Sequence, residues 1–205
     1  PETPEKARGV VEDRRETVLE AYKSENDFIQ GLAKNYDRDV KRDLDTPAQV
    51  IPELLQNADD VEECRAVEIQ LSDDELCIRN NGRPLFENEF RALCHIGEST
   101  KQEPGYIGHF GRGFKSVFSV TDNPQIRSGF FRFQFHRERC VLPEHLNSST
   151  EPQEITYGSG TEIRLPLKGL SEHDQNQLER QIEEIQRLLP YLRHITEIFV
   201  NNRGN

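Results

Sequence analysis

The most informative segment of this chain, for both its structure and its function, is ELLQNADD, residues 53–60. On an α-helix, Glu53, Asn57 and Asp60 lie at positions i, i+4 and i+7, so their side chains project from one face while the leucines between them can face a core. The amide oxygen of Asn57 can bind Mg²⁺, and a carboxylate one turn away can orient or deprotonate a water, as ATP hydrolysis requires. Taken alone, the same spacing also fits an ordinary polar helix face.

A second informative segment is GHFGRGFKS, residues 108–116, which directly precedes a predicted helix. Gly108, Gly111 and Gly113 allow consecutive backbone N–H groups to converge on phosphates, and a helix N-terminus adds partial positive charge. The ending and spacing are not those of a P-loop, and no strand leads into the segment as a dinucleotide-binding fingerprint requires. Because three glycines in six residues are hard to explain as a structural turn, the pattern favours phosphate binding.

Two shorter motifs carry little weight alone. NNGRP, residues 80–84, ends a predicted strand. There Gly82 would let the backbone approach a planar ligand, and a side-chain carbonyl beside it could accept a hydrogen bond from an exocyclic amine. The motif also fits a plain Asn-Gly turn. GSGT, residues 158–161, enters a predicted strand, where the Thr161 hydroxyl could complete a polar floor under a base; a glycine-rich hairpin turn explains it equally well.

The hydrophobic periodicity between these motifs predicts both helices and strands. Apolar residues among charges at 10–36 predict one or two amphipathic helices, and Thr46 followed by Pro47 predicts the start of a helix that runs through Ala58. The other predicted elements are strands at 66–71 and 75–79 forming a hairpin, a helix at 88–96, a long functional loop at 97–113, a helix at 112–120, strands at 130–136 and 161–167 separated by a loop at 142–159, a helix at 175–189 and a strand at 195–201. This order predicts an α+β two-layer sandwich with a mixed, mostly antiparallel sheet and helices on one face.

Composition argues against several functional classes. The 37 acidic and 26 basic residues give a formal net charge of -11, which argues against direct nucleic-acid binding because phosphate backbones require clustered Lys and Arg. No apolar run approaches the roughly 18 residues that a membrane span needs. The four cysteines form no C-x-x-C pair, so neither zinc nor redox chemistry is indicated. We therefore expect an intracellular protein, cytoplasmic or nuclear, without a membrane partner.

Taken together and in this order, the four motifs resemble the GHKL superfamily of ATP-binding domains, which gyrase-like, heat-shock chaperone, histidine-kinase and mismatch-repair ATPases share. The matching pattern is E-x-x-x-N-A-x-D on a helix, a D-x-G-like segment after a strand, G-x-x-G-x-G before a helix and G-T opening a strand, and it spans residues 50–167. The stretches 55–60, 81–84, 97–101, 107–120 and 188–195 are similar to the sacsin and NO VEIN-like branch of that superfamily.

The resemblance implies a role for each motif residue. Glu53 would be the general base, Asn57 the Mg²⁺ ligand and Asp60 a second carboxylate at or behind the nucleotide. Gly82 would lie beside the adenine, with Thr161 close to the base. The phosphate-binding segment would comprise Gly108, Phe110, Gly111, Arg112, Gly113 and Phe114, with Lys115 or Lys101 as a charge partner. The superfamily's adenine-reading aspartate falls on Asn80, whose neutral amide would accept a weaker hydrogen bond, so we expect lower adenine selectivity.

The resemblance also implies a domain organisation and a function. Residues 1–45 would form an N-terminal helical segment packed on an ATP-binding domain at 46–205, within a larger multidomain protein. We expect Mg²⁺-dependent binding and hydrolysis of ATP, in which closure of the loop 97–113 changes the conformation or dimerisation of that protein. The expected partners are ATP, ADP, other domains of the same protein and a second copy bound in a nucleotide-dependent homodimer.

Three other functions stay open at this point. The first is a non-hydrolysing ATP-binding switch, because related ATPases need a cationic residue from a following domain that this chain does not visibly supply. The second is a nonenzymatic protein-interaction domain. In that case, the occurrence of four motifs in this order would be accidental. The third is a histidine autokinase, which is disfavoured because its phosphoacceptor lies upstream of the ATP site and the first histidine here is His95.

Overall fold

A computed structural model describes residues 1–42, 49–95, 113–146, 160–167 and 169–202 of the chain. The elements, in chain order, are α1 (Pro4–Lys23), α2 (Asp27–Arg42), α3 (Val50–Asp59), β1 (Ala66–Leu71), β2 (Glu75–Asn80), α4 (Glu87–Leu93), a 3-10 helix (Gly113–Ser119), β3 (Gln125–Ser128), β4 (Phe131–His136), β5 (Arg139–His145), β6 (Thr161–Pro166), α5 (Glu172–Glu184), a second 3-10 helix (Ile185–Tyr191) and β7 (Glu197–Asn202). Within the described ranges, no helix is both long enough and apolar enough to cross a membrane.

The strands form one sheet in the order β5-β4-β3-β6-β2-β1-β7. Neighbouring strands are antiparallel except for β1 and β7, which are parallel. Helices and a mixed, mostly antiparallel sheet make an α+β sandwich, which confirms the predicted fold class.

The helix-packed face of the sheet is apolar because alternate residues of each strand point to it. In β4 these residues are Phe131, Phe133 and Phe135, all buried. Phe90 of α4 stacks on Phe131 with ring centroids 5.0 Å apart and meets Phe133 edge-on at 4.9 Å. These aromatic contacts fix α4 over the centre of the half-sheet β5-β4-β3.

The opposite face carries charged side chains linked in a network around Glu162 of β6. Its carboxylate accepts hydrogen bonds from Nε of Arg79 at 2.8 Å and from Nε of Arg164 at 2.8 Å. Burial alone would raise the pKa of the Glu162 carboxyl, but the two guanidinium groups outweigh it and hold that pKa below its usual value. A face satisfied by ion pairs does not require an apolar layer to cover it.

Helix α1 packs on β5 and β4 through a stripe that includes Ala7, Val11 and Val18, each buried. Two arginines of the same helix reach backbone carbonyls of the core: Arg14 donates to the Cys94 carbonyl at 2.9 Å and Arg15 to that of Pro143 at 3.0 Å. Two helices are therefore present in the region predicted to be helical, and the apolar stripe of α1 contacts the sheet.

Asp59, the last residue of α3, ties that helix to the segment that precedes β7. Its carboxylate accepts three backbone N–H bonds, from Arg193 at 2.8 Å, His194 at 2.8 Å and Ile195 at 3.0 Å. Burial by itself would raise the pKa of the Asp59 carboxyl, yet these donors and the nearby His194 keep it below its usual value of 3.8. The charged form is therefore the one that the fold stabilises.

Asp59→Asn is expected to lower the free energy of unfolding by about 2 kcal/mol at neutral pH, since an amide cannot replace a charged acceptor of three donors. Because the folded pKa of Asp59 lies below the unfolded one, its contribution is fully present above pH 3.8 and is lost as the pH falls through the folded value. Denaturant unfolding at pH 7 and pH 3 measures both effects. Asp73→Asn, in the exposed β1–β2 turn, is the control. An equal change in the two variants at pH 7 would contradict the expected role.

Several element boundaries differ from the prediction. Helix α3 begins at Val50 with Gln49 as its N-cap, while Thr46 and Pro47 lie outside the described residues. The helix predicted at 112–120 is a 3-10 helix, and the helix predicted at 175–189 begins at Glu172 and becomes 3-10 after Glu184. The short strand β3 was not predicted, and β5 extends into the predicted loop 142–159. Pro143 argued against a strand at this position, because proline interrupts strands in the interior of a sheet. Strand β5 lies at the sheet edge, where proline is tolerated.

Candidate functional site

Helix α3 carries the two most informative side chains of the first motif. Its apolar residues enter the core, so Glu53 is left half-buried and Asn57 is 9% exposed. Within the described ranges, neither the Glu53 carboxylate nor the Asn57 amide has a hydrogen-bond partner. A nearly buried amide and a neighbouring carboxylate that have no partner among these residues can contact a ligand.

Gly113, the last glycine of the glycine-rich segment, lies directly against Glu53. A Cβ at position 113 would fall well inside van der Waals contact with Oε2 of Glu53 and 3.4 Å from its Cδ. Only a residue without a side chain allows the backbone to come this close. The end of the second motif therefore meets the carboxylate of the first.

A row of three buried polar residues crosses neighbouring strands on the helix-packed face. Asn80 of β2 pairs in register with Thr161 of β6, and Thr161 pairs with Ser128 of β3. The hydroxyls of Ser128 and Thr161 are 2.7 Å apart. The Asn80 side-chain oxygen accepts from the Gly82 N–H at 3.1 Å, and the Ser128 hydroxyl accepts from the Leu85 N–H at 2.8 Å. These contacts fix the row, which forms a polar strip in an otherwise apolar face.

Two glycines bring the remaining motifs together at this strip. A Cβ on Gly82 would lie 2.9 Å from Cγ1 of Val61, just beyond the end of α3. A Cβ on Gly160 would overlap the Asn80 carbonyl, lying 2.7 Å from its carbon. The structure therefore brings Asn80, Gly82 and Thr161 into one neighbourhood.

Other members of the predicted site are engaged elsewhere. Asp60 forms an ion pair with Arg193. The Lys115 ammonium is 3% exposed and donates to the carbonyls of Leu93 at 2.9 Å and Cys140 at 2.6 Å, and burial lowers its pKa. Phe114 is buried against Phe135, with ring centroids 6.1 Å apart. Lys101, Gly108, Phe110, Gly111 and Arg112 lie outside the described residues.

Two residues that shape this region were missed in the sequence. Ser128 belongs to the unpredicted strand β3, and nothing in its neighbourhood marks it as a member of the polar row. Asp59 lies within the first motif, but only the fold shows that its carboxylate accepts backbone hydrogen bonds from residues 193–195. The duplicated acids at 59 and 60 were the one available signal, since a motif that needs one carboxylate contains two.

Comparison with known proteins finds sequence relatives for about half of the chain. Protein NO VEIN of Arabidopsis thaliana is 44% identical over 110 residues, which cover 51% of this chain and 4% of that protein. Sacsin of Homo sapiens is 34% identical over 102 residues, which cover 40% of this chain and 2% of that protein. The chain thus spans only a few per cent of the length of these relatives, and the similarity supports a relationship to the sacsin and NO VEIN-like branch. No protein-family model matches the chain.

Proposed function

We propose that this chain, related over 51% of its length to NO VEIN and over 40% to sacsin, is a GHKL-type module that binds ATP with Mg²⁺ and hydrolyses it. The observation that supports the proposal is the convergence on α3: Gly113 lies against Glu53, one turn from Asn57. Described residues of four motifs that are separated in the sequence lie on one side of the sheet. Motifs that served only as local polar turns would not need to lie together.

The chemistry of the residues fits a magnesium nucleotide. The Asn57 amide is nearly buried and has no partner in the described ranges, and its oxygen is the type of ligand that Mg²⁺ accepts. Mg²⁺ would supply charge neutralisation at the phosphates when bound. The Glu53 carboxylate, likewise without a protein partner in those ranges, would orient the attacking water and accept its proton.

The polar row would receive the adenine. The Asn80 oxygen already accepts one hydrogen bond, from the Gly82 N–H, and a carbonyl oxygen has capacity for a second, from the exocyclic amine. Because that acceptor is neutral, the bond is weaker than one to a carboxylate. We therefore propose that this site binds adenine nucleotides with modest selectivity over guanine nucleotides.

One observation favours a second candidate, a switch that binds ATP without hydrolysing it. Lys115 follows the glycine-rich segment directly, yet its ammonium is held by two backbone carbonyls in the core. In this conformation it does not neutralise a phosphate, so hydrolysis would require Lys101 or another cation, from this chain, another domain or a second copy. Nucleotide binding without turnover, with turnover regained in a longer polypeptide, would separate an incomplete site from a switch.

Calorimetric titration with ATP, ADP and GTP, with and without Mg²⁺, tests the proposal. We expect Mg²⁺-dependent adenine-nucleotide binding that weakens at least tenfold in Asn57→Ala, because about 1.4 kcal/mol of ligand contact corresponds to tenfold in affinity. Asn176→Ala, on the exposed side of α5, is the matched control and should bind as the unaltered chain does. Binding that is equal in both variants would remove Asn57 from the site. A chain that binds no nucleotide would favour a protein-interaction domain.

The proposed coupling to a larger protein includes a nucleotide-dependent homodimer through the N-terminal helices. Phe28 and Ile29 at the start of α2 are exposed apolar side chains, which support this idea. Sedimentation velocity with a nonhydrolysable ATP analogue tests it, and an unchanged sedimentation coefficient would count against the dimer.

A further inference from the structure

Helix α2 places one carboxylate inside the protein. Asp37 is only 7% exposed, and both of its oxygens are used. Oδ2 accepts from the Tyr22 hydroxyl of α1 at 2.6 Å, and Oδ1 accepts from the backbone N–H and the thiol of Cys140 in β5, each at 3.1 Å. This one side chain therefore connects both N-terminal helices to the edge of the sheet.

Cys140 separates this buried carboxylate from a buried cation. Its backbone N–H donates to Asp37, and its carbonyl accepts from the Lys115 ammonium at 2.6 Å. The ammonium also lies 4.6 Å from the centre of the Phe135 ring. An opposite charge on the other side of a single residue stabilises a cation that has little water around it, and removal of either charge leaves the other uncompensated.

Lys115 connects this cluster to the proposed ATP site. It lies in the 3-10 helix that begins at Gly113, two residues earlier in the chain. Gly113 in turn lies against the Glu53 carboxylate. The two carbonyls that hold the ammonium, from Leu93 and Cys140, thus determine where the glycine meets the proposed general base.

We propose that Asp37 is a positioning residue through which the N-terminal helices hold Gly113 against Glu53. The helical segment 1–42 is then part of the ATP site's support and not a separable attachment. The positioning role stands on the geometry of the described residues alone; its effect on nucleotide binding rests on the proposed function.

Hydrogen exchange measured by mass spectrometry, without nucleotide, tests the positioning role. In Asp37→Asn, we expect the backbone amides of 113–119 to exchange at least tenfold faster, while those of α5 are unchanged. Asp27→Asn, exposed on the same helix, is the control and should match the unaltered protein at both places. In a Lys115→Met background, Asp37→Asn should accelerate exchange at 113–119 no further, because Asp37 acts on that segment through the Lys115 ammonium.

The outcomes separate positioning from general stability and from the proposed function. Equal exchange at 113–119 in Asp37→Asn and Asp27→Asn would overturn the inference, as would a further loss of protection caused by Asp37→Asn in the Lys115→Met background. If Asp37→Asn unfolds, Tyr22→Phe removes only one hydrogen bond to the carboxylate and should raise exchange at 113–119 two- to threefold; a rise spread evenly over the chain would overturn the inference. Loss of protection in a protein that binds no ATP would uphold the positioning role and contradict the proposed function.

Discussion

Glu53→Gln is expected to lower ATP turnover by about 10²- to 10⁴-fold, the usual contribution of a positioned general base. Glutamine keeps the shape that Gly113 packs against, so nucleotide affinity should change little. An amide cannot accept the proton of the attacking water, so the loss belongs to the chemical step. Single-turnover release of phosphate, measured in the longest polypeptide that contains the chain, reports this step.

A matched control separates the role of this carboxylate from a general loss of charge. Glu179→Gln removes the same charge from a solvent-exposed position on α5 and should leave turnover unchanged. Normal turnover in Glu53→Gln would exclude Glu53 from the mechanism. Binding lost together with turnover would assign the residue to ligand contact instead.

Gly160→Ala is expected to cost about 3 kcal/mol or more of folding free energy, at the upper end of the range for overpacked positions. The new Cβ would overlap the backbone carbonyl of Asn80, and Asn81 Cα would be 3.1 Å away. Backbone atoms cannot rotate aside as a side chain can, so β6 must separate from β2 where Thr161 pairs with Asn80. The proposed adenine contact would be disturbed by the same shift.

Gly9→Ala provides the opposite result for comparison. Gly9 lies within α1, and a Cβ there would meet no atom within 4 Å. Alanine loses less backbone entropy than glycine on folding, so this variant should gain about 0.5–1 kcal/mol. Urea unfolding of both variants measures the contrast, and a Gly160→Ala protein as stable as the unaltered chain would contradict the close approach of β6 to β2.

The elements that the sequence predicted are those with regular hydrophobic patterns. The hairpin of β1 and β2, strand β4 and the amphipathic N-terminal helices follow directly from periods of two and 3.6 residues. Strand β3, with four residues, is too short to produce a pattern, and β5 is interrupted by Pro143. Local periodicity also carries no information about strand order, so the parallel pairing of β1 with β7 was not accessible.

The site was predicted as a set of motifs, but not as a set of contacts. The spacing of Glu53 and Asn57 is enough to put them on one helix face, because helix geometry is local. The family resemblance grouped Lys115 with the phosphate-binding residues by its position in the chain, two residues after Gly113. Its partners are residues 93 and 140, and such distant partners depend on how the sheet and helices pack.

The hydrogen bonds between the Asp59 carboxylate and the backbone of residues 193–195 have a consequence for the synthesis of this chain. A ribosome delivers α3 and β1 long before it delivers the segment that holds Asp59 and the strand that pairs with β1. During that interval β1 is an unpaired sheet edge, and the Asp59 carboxylate lacks its hydrogen-bond donors. This state favours mispairing with other chains. The final step of folding therefore waits for β7, and pairing between segments so far apart is slow. Folding of this part of the protein should therefore depend on protection by chaperones until β7 has been made.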